Sequence, residues 1–494
     1  MSSSSDASFC YHSPASYFDT LRILFPVHNL GKTRHFEGVI RGLTARGHTV
    51  LLGAARKRKP LKPTKTLHDD PRVEVLACPT RRVDGWQDLT LALRRARDAA
   101  RFLDPRYAQS TKVAARAADY APAGWNAALE RRPWLRRHWR LAQHGLALAE
   151  AVTPAERYFE LFLKAERADL LLVTPLVDFG SYQTDYVKAA HRIGLPVAFL
   201  PFSWDNLTNR GLIRVPPDRV LVWNAHQERE AVELHGVPPD RVVITGAPRF
   251  DEFFAMRPST SRDAFCAALN LDPGRPLVLY TCSSNFVAPR EVEFVRTWIG
   301  ELRRAADPAL RDCTALVRPH PAHDEQWEGV DFSDLRGVAI WSHKSTMQAD
   351  QGLYDSLFHS GAVVGLNTSA MIEAAIVGRP VYTVAAPEFT GGQTGTLHFH
   401  YLLAEHGGPV TVAADFDEHV RQLAAGLADQ ASVRERCRRF VESFVRPRGI
   451  DRPAAACMVE EIERVGTIRK RRRRTPPWHY PLRWALQAAA VRHR

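Results

Sequence analysis

Short apolar runs closed by polar or Gly/Pro corners alternate with stretches of helical spacing through most of the 494-residue chain. Runs at 21–25, 49–52, 73–78, 170–173, 197–201, 219–223 and 242–244 form one set, and runs at 276–280, 314–317, 338–341, 362–366 and 380–384 form a second. Helical spacing fills the intervals at 33–45, 155–167, 183–192, 225–234 and 370–377. Strands that are apolar throughout belong in parallel sheets covered on both faces. Regular β-loop-α alternation therefore predicts an α/β protein with two Rossmann-like sheets. The corner after the first run, PVHNLGK, lacks G-x-G-x-x-G, which removes the dinucleotide fingerprint.

One stretch of the second set carries the most chemistry. The run 362–366 ends in Asn367-Thr368-Ser369, and a helix over 370–377 follows, closed by Gly378. Ser369 reads as its N-cap, so backbone N–H groups and the positive helix end point at the space above the sheet, a place for phosphate. A capping box would put an acid at 372, but Ile372 stands there and Glu373 follows one residue later. Glu373 is then free to reach a ligand hydroxyl, or else only complements the helix dipole.

Other strand ends add polar groups. The run 276–280 leads into Thr281-Cys282-Ser283-Ser284-Asn285, where the Ser283 and Ser284 hydroxyls and the backbone suit a diphosphate. The run 314–317 ends in Arg318-Pro319-His320-Pro321; Arg318 offers a planar fork to phosphate oxygens and His320 a proton, the alternative being a rigid turn. In the first set, His28 lies just past the first strand and Asp205 in a polar loop past the run 197–201, where open α/β sheets bind ligands. His35, on the following helix, reads as a packing residue behind that loop. His398 and His400 alternate as on a strand but lack a third metal ligand. Asp415-Phe416-Asp417 reads as a helix-start turn.

The strand, small polar corner, Glu-bearing helix and G-x-P of 362–380, together with R-P-H-P, resemble the donor-nucleotide half of GT-B glycosyltransferases. The branch it looks most similar to holds the CDP-glycerol glycerophosphotransferases, capsule polysaccharide transferases and UDP-GlcNAc 2-epimerases. The resemblance spans 21–384, in pattern more than in letters, and implies two Rossmann-like domains facing across a cleft. It implies that Ser283, Ser284, Arg318, His320, Asn367, Thr368 and Ser369 hold the donor phosphates and that Glu373 holds the ribose. It further implies a base for the acceptor hydroxyl in the first domain, His28 or else Asp205; a neutral imidazole is available near pH 7. Such enzymes usually work without metal, so no metal and no cofactor are expected. Gly361 replaces an Asp usual in relatives, so no role passes to that position.

Composition narrows the partners. A formal charge of +13 asks for an anionic partner. Arginines crowd 81–150 among Trp86, Trp125, Trp134 and Trp139, and Arg469 to Arg474 precede Trp478 and Tyr480. Basic residues with tryptophan fit an anionic membrane surface; RNA stacking or plain solvation are the other readings, and no compact nucleic-acid module is present, so nucleic acid is disfavoured. Seven scattered cysteines without C-x-x-C read as reduced thiols. With no signal peptide and no spanning run, a cytoplasmic protein is expected, peripheral on the inner membrane face. The expected division is a disordered 1–19, an acceptor domain 20–252 with a helical insertion at 81–150, a linker 253–275, a donor domain 276–466 and a basic amphipathic tail 467–494. The expected activity is transfer of a glycosyl or polyol-phosphate group from a nucleotide-activated donor to a cell-envelope polysaccharide or lipid-linked acceptor. The alternatives are a nucleotide-sugar 2-epimerase, or a non-catalytic basic scaffold on the same core.

Overall fold

A computed structural model describes residues 20–55, 63–341, 349–468 and 472–492; the expected disordered segment 1–19 lies outside them. Thirteen strands form two sheets. The first holds β1 (Arg22–Pro26), β2 (Thr49–Ala54), β3 (Val73–Ala77), β4 (Leu170–Val173), β5 (Val197–Phe199), β6 (Arg219–Val222) and β7 (Val242–Ile244), in the order β3-β2-β1-β4-β5-β6-β7. The second holds β8 (Leu277–Thr281), β9 (Thr314–Arg318), β10 (Val338–Ile340), β11 (Ala362–Gly365), β12 (Val381–Val384) and β13 (Val410–Ala413), in the order β10-β9-β8-β11-β12-β13. Every strand pair is parallel. This is the expected α/β, GT-B architecture. Strand order reverses between β1 and β4 in one sheet and between β8 and β11 in the other, and open parallel sheets bind ligands outside such reversals.

The apolar runs form these strands because both faces are covered: Val363, Leu277 and Leu279 are wholly buried on one side of the second sheet, Val278, Tyr280 and Val364 on the other. Strand β13 escaped the sequence reading because it is an edge strand, Val-Thr-Val-Ala, whose two middle residues are only half-buried, so its run is not continuously apolar. The pair His398 and His400 sits on a 3₁₀ turn, Leu397–Leu402, and not on a strand. The turn is closed locally, with His400 Nε2 donating to the Thr394 carbonyl at 2.8 Å.

Two packing contacts cross the expected division. The helix Ala454–Gly466, read as the end of the donor domain, crosses back to the first sheet, where Ala455, Met458, Val459 and Ile462 join Val39, Ile40 and Leu43 in one apolar cluster. Gly42 admits Val459: a Cβ there would lie 2.9 Å from its Cγ2. The linker segment 253–275 is packed, since Phe253, Phe265 and Cys266 are buried in the cluster with Leu277 and Leu279. That same cluster takes Trp204, Trp223 and Phe250 from the first half, so one apolar core joins the two sheets.

The arginine-rich insertion is helical, and its arginines divide into two groups. Arg82 and Arg94 meet Asp185 at 2.8 and 2.7 Å, and Arg94 and Lys188 meet Glu150 at 3.3 and 2.8 Å, all in the interior. Asp98 pairs with Arg214, both side chains at 0% exposure, and accepts from the Gly180 and Leu212 amides at 2.8 and 2.9 Å. These charges tie the insertion to the first sheet and never reach solvent. Arg131, Arg132, Arg136, Arg137 and Arg140 are exposed. The helix Thr111–Tyr120 bridges to the second half: Ser110 Oγ donates to the Gly395 carbonyl at 2.7 Å, and the Arg116 guanidinium lies 4.3 Å from the Phe286 ring.

Candidate active site

The strand ends flanking the reversal in the second sheet are stitched together by backbone and hydroxyl contacts. Cys282 N, past β8, donates to the Arg318 carbonyl at 2.9 Å, and Asn367 N, past β11, donates to Ser283 Oγ at 3.3 Å. The corner residues therefore sit side by side, but they do different work. Ser283 is fully buried and its amide donates to Glu291 Oε2 at 2.8 Å, so its hydroxyl braces the corner from behind. Glu291 also accepts from Tyr280 at 3.1 Å, and burial pushes its carboxyl up to about 8. Asn367 Nδ2 donates to the Gly392 carbonyl at 2.8 Å, fixing the glycine-rich loop. Gln393 completes that anchor, donating to the Val384 carbonyl at 3.0 Å.

Ser284, Thr368 and Ser369 are half-buried at the corner surface. Ser369 makes no side-chain cap: it is itself in helical conformation, and its carbonyl takes the Ile372 amide at 2.9 Å. The Thr368 hydroxyl accepts weakly from Ala370 N at 3.5 Å. Arg318, by contrast, is buried: its Nη1 donates to the Gly352 carbonyl and to Ser356 Oγ at 3.1 Å each, and the guanidinium stacks 4.6 Å from the Trp341 ring. Burial pulls it down to about 10. His320 is half-buried one turn beyond, its Nδ1 accepting from Ala322 N at 3.1 Å, which leaves the proton of the neutral ring on Nε2.

Glu373 is 3% exposed and faces the first half of the chain, where Arg249 Nη2 donates to it at 3.3 Å. Burial raises its carboxyl, and Arg249 opposes the rise only in part. Arg249 stands beside His35, 3.4 Å away, and His35 stacks on Phe202 at 5.7 Å. Burial, with Arg249, Arg34 and Lys32 around it, drives His35 down to about 2, so its ring stays neutral.

The two candidate bases lie apart. His28 is exposed at the mouth of a cavity of about 260 Å³ lined by Arg95, Asp178 and Gln183. Gln183 Nε2 donates to the Pro26 and Thr174 carbonyls at 2.9 and 2.8 Å, clamping the β1 and β4 ends at their reversal. Asp205 is held at the joint between the halves: Asn206 and Asn209 donate to it at 3.3 and 2.5 Å. Burial pushes its carboxyl up, but His398 and Arg210 outweigh that and hold it below the usual range. His398 comes from the second half and docks on the same loop, its Nδ1 2.9 Å from Thr208 Oγ1 and its ring 4.7 Å from Trp204. Sequence reading missed Arg249, Arg210, Gln393 and this role of His398. Arg249 stood in the stretch GAPRFD, but its partner is visible only once the sheets face each other.

The carboxyl edges of the two sheets thus meet, with Arg249–Glu373 and the Thr208–His398 contact as ties. No protein-family model matches the chain. No curated protein matches it either. Among solved structures, a glycosyltransferase from Rickettsia africae ESF-5 is similar at a TM-score of 0.53 and 10% identity, covering 91% of this chain and 100% of that one. The UDP-GlcNAc 2-epimerase from Neisseria meningitidis, bound to UDP-GlcNAc, is similar at 0.50 and 10% identity, covering 90% and 99%. At this identity the likeness is one of fold.

Proposed function

We propose that the chain is a transferase that moves a glycosyl or polyol-phosphate group from a nucleotide-activated donor to a cell-envelope polysaccharide or lipid-linked acceptor. The observation that carries the reading is the adjoining Ser284, Thr368 and Ser369 corners at the reversal of the second sheet, whose carboxyl edge meets a first-sheet edge that carries an ionised Asp205 and several cations. The donor nucleotide lies over that corner, and His320 offers its Nε2–H as a hydrogen bond to the leaving phosphate. Arg318 acts at one remove by fixing the helix Ala349–His359 beside β9. Asp205, ionised and clamped, takes the acceptor proton; His28, on the far side of the β1 corner, is the other candidate. No metal is required in this scheme.

Surface attachment belongs to the same reading. The helix His479–Arg492 rests on the insertion helix Trp139–Val152, with Arg483 Nε donating to the Val152 carbonyl at 2.5 Å. Exposed Tyr480 and Trp484 on the first of these helices, Trp134, Arg136 and Arg137 on the turn before the second, and Arg472 to Arg474 and Trp478 before the first give a composition suited to an anionic membrane surface. Among the described residues no helix is long and apolar enough to cross a membrane.

A 2-epimerase is the second reading, favoured by two carboxylates, Asp178 and Asp205, that both act on Lys32 and Arg116 at the first-sheet edge, since epimerisation needs groups to move the C2 proton. A thermal-shift screen with CDP-, UDP-, GDP- and CMP-linked donors tests the class, repeated on His320→Ala and Glu373→Ala. A donor that raises Tm in the wild type and not in His320→Ala supports transfer. Deuterium appearing at C2 of UDP-GlcNAc without any acceptor identifies the epimerase. No shift with any donor removes both.

A further inference from the structure

Cations from three separate segments converge at the edge of the first sheet that faces the second. Lys32 and Arg34 follow β1, Arg116 comes from the insertion helix, and Arg210 follows β5. Lys32 Nζ and the Arg210 guanidinium share one ring, lying 4.5 and 5.2 Å from the centroid of Phe202, itself 6% exposed. Arg116 sits over Phe286 and donates to the Asn209 carbonyl, one residue before Arg210. Asp178 pairs with Arg210, and Asp205 is the other carboxylate placed among them.

The cluster is short of negative charge: Lys32, Arg116 and Arg210 meet two carboxylates, and Arg34, beside Lys32, also acts on Glu373. It is also short of acceptors. The Nε atoms of both Arg116 and Arg210 are buried and have no hydrogen-bond partner among the described residues. A buried guanidinium donor left unmade is costly, and desolvated like charges repel. Burial first, and Arg210 second, pull both Lys32 and Arg116 down from their ordinary values. Such an arrangement is unfavourable in the empty protein and favourable around an anion with several acceptor oxygens. A carboxylate brings one charge, whereas a phosphate monoester brings about −1.5 to −2 at pH 7 and three strong acceptors. Guanidinium forks match phosphate oxygens, and an ammonium adds a point charge.

We propose that Lys32, Arg34, Arg116 and Arg210 form a binding site for a phosphate-bearing group on the first-sheet side of the joint, beside Asp205. The transferase reading supplies two owners for that phosphate: the acceptor, which is then a phosphorylated sugar, polyol phosphate or lipid phosphate, or the diphosphate of the donor itself. An acceptor phosphate held here sets its nearby hydroxyl against Asp205.

Calorimetric titration of the full-length protein with inorganic pyrophosphate tests the site, alone and after saturation with UDP or CDP. Pyrophosphate binds the wild type and binds at least ten-fold more weakly to Lys32→Met and Arg116→Met. Arg34→Ala, an exposed position, shows the same direction without disturbing packing. Pyrophosphate that still binds the nucleotide-saturated protein assigns the site to the acceptor. Pyrophosphate displaced by nucleotide, with nucleotide affinity falling equally in the variants, assigns it to the donor. Affinity unchanged in all three variants, or no pyrophosphate binding, overturns the site even where nucleotide binds and the transferase reading stands. Variant-sensitive pyrophosphate binding in a protein that takes no nucleotide keeps the site and removes that reading.

Discussion

Glu373 and Arg249, 124 residues apart, meet at 3.3 Å between the carboxyl edges of the two sheets. The carboxylate is almost wholly buried and the guanidinium about a quarter exposed, with side chains at 4% and 27% exposure. Removing Arg249 leaves a buried charge unanswered, which costs more than the pair itself gains. Arg249→Met should therefore destabilise the protein, and Glu373→Gln in the same chain should restore part of the loss. A double-mutant cycle by urea unfolding should give a coupling of about 1–3 kcal/mol. Additive single effects would show that the tie contributes nothing.

Asp98 sets the strength of the insertion's attachment. It satisfies two backbone amides and Arg214 at 0% exposure, and a Cβ on Gly211 would meet its carboxylate at 2.7 Å. Asp98→Ala should cost about 3–5 kcal/mol, the range for breaking a buried ion pair from one side. Asp98→Asn, which keeps one acceptor oxygen, should fall between. Denaturant midpoints check both; an Asp98→Ala midpoint equal to wild type contradicts the packing described.

Stability should fall as pH rises from mildly acid to mildly alkaline. Burial raises Glu230 and Glu291 from the ordinary 4.5 to about 8, so the folded protein holds two protons that the unfolded chain has lost. Their contribution is full below about pH 4.5 and is lost as pH climbs through about 8. On the acid side the order inverts. Burial raises Asp185 and Glu150, but Arg94 and its neighbours depress both, so that contribution is present above the unfolded values and goes as pH falls through the folded ones. Glu230→Gln and Glu291→Gln should each flatten the fall in unfolding free energy between pH 5 and 8, by at most about 1.4 kcal/mol for each pH unit crossed. Equal slopes in wild type and both variants would contradict the assignment.

The exposed basic and aromatic faces give a surface-binding prediction. Sedimentation with phosphatidylglycerol vesicles should carry the protein down at low salt and release it at high salt. Trp484→Ala, at a position 75% exposed, should weaken binding several-fold without changing Tm. Equal binding to neutral phosphatidylcholine, or none to either vesicle, removes the membrane reading.

The strands and the helix Ala370–Ile376 were legible because a strand buried on both faces must be apolar in every position, and that signal is local. The corner Asn367 to Ser369 was legible as the polar end of that apolar run, but the N-cap role read for Ser369 was not borne out, since its side chain makes no cap. What the sequence could not show is direction: Arg318 lies against Trp341 and Gly352, and Asn367 is spent on Gly392, because the neighbours they meet come from distant segments. The buried arginines of the insertion were read with the exposed ones, since composition does not distinguish Arg94, tied to Asp185, from Arg136 on the surface. The return of the helix Ala454–Gly466 to the first sheet had no local signal at all.

In the proposed transferase a nucleotide phosphate sits on the Ser284, Thr368 and Ser369 corner. Calorimetric titration of the wild type and of Ser369→Glu with the nucleoside diphosphate selected by the donor screen tests it most directly. An acid in the first turn of a helix is tolerated, so the variant keeps its fold, while its carboxylate occupies and repels at the phosphate position. The wild type should bind in the micromolar-to-millimolar range, and Ser369→Glu should lose at least ten-fold at unchanged Tm. Equal affinity in the two proteins would place the nucleotide elsewhere and contradict it.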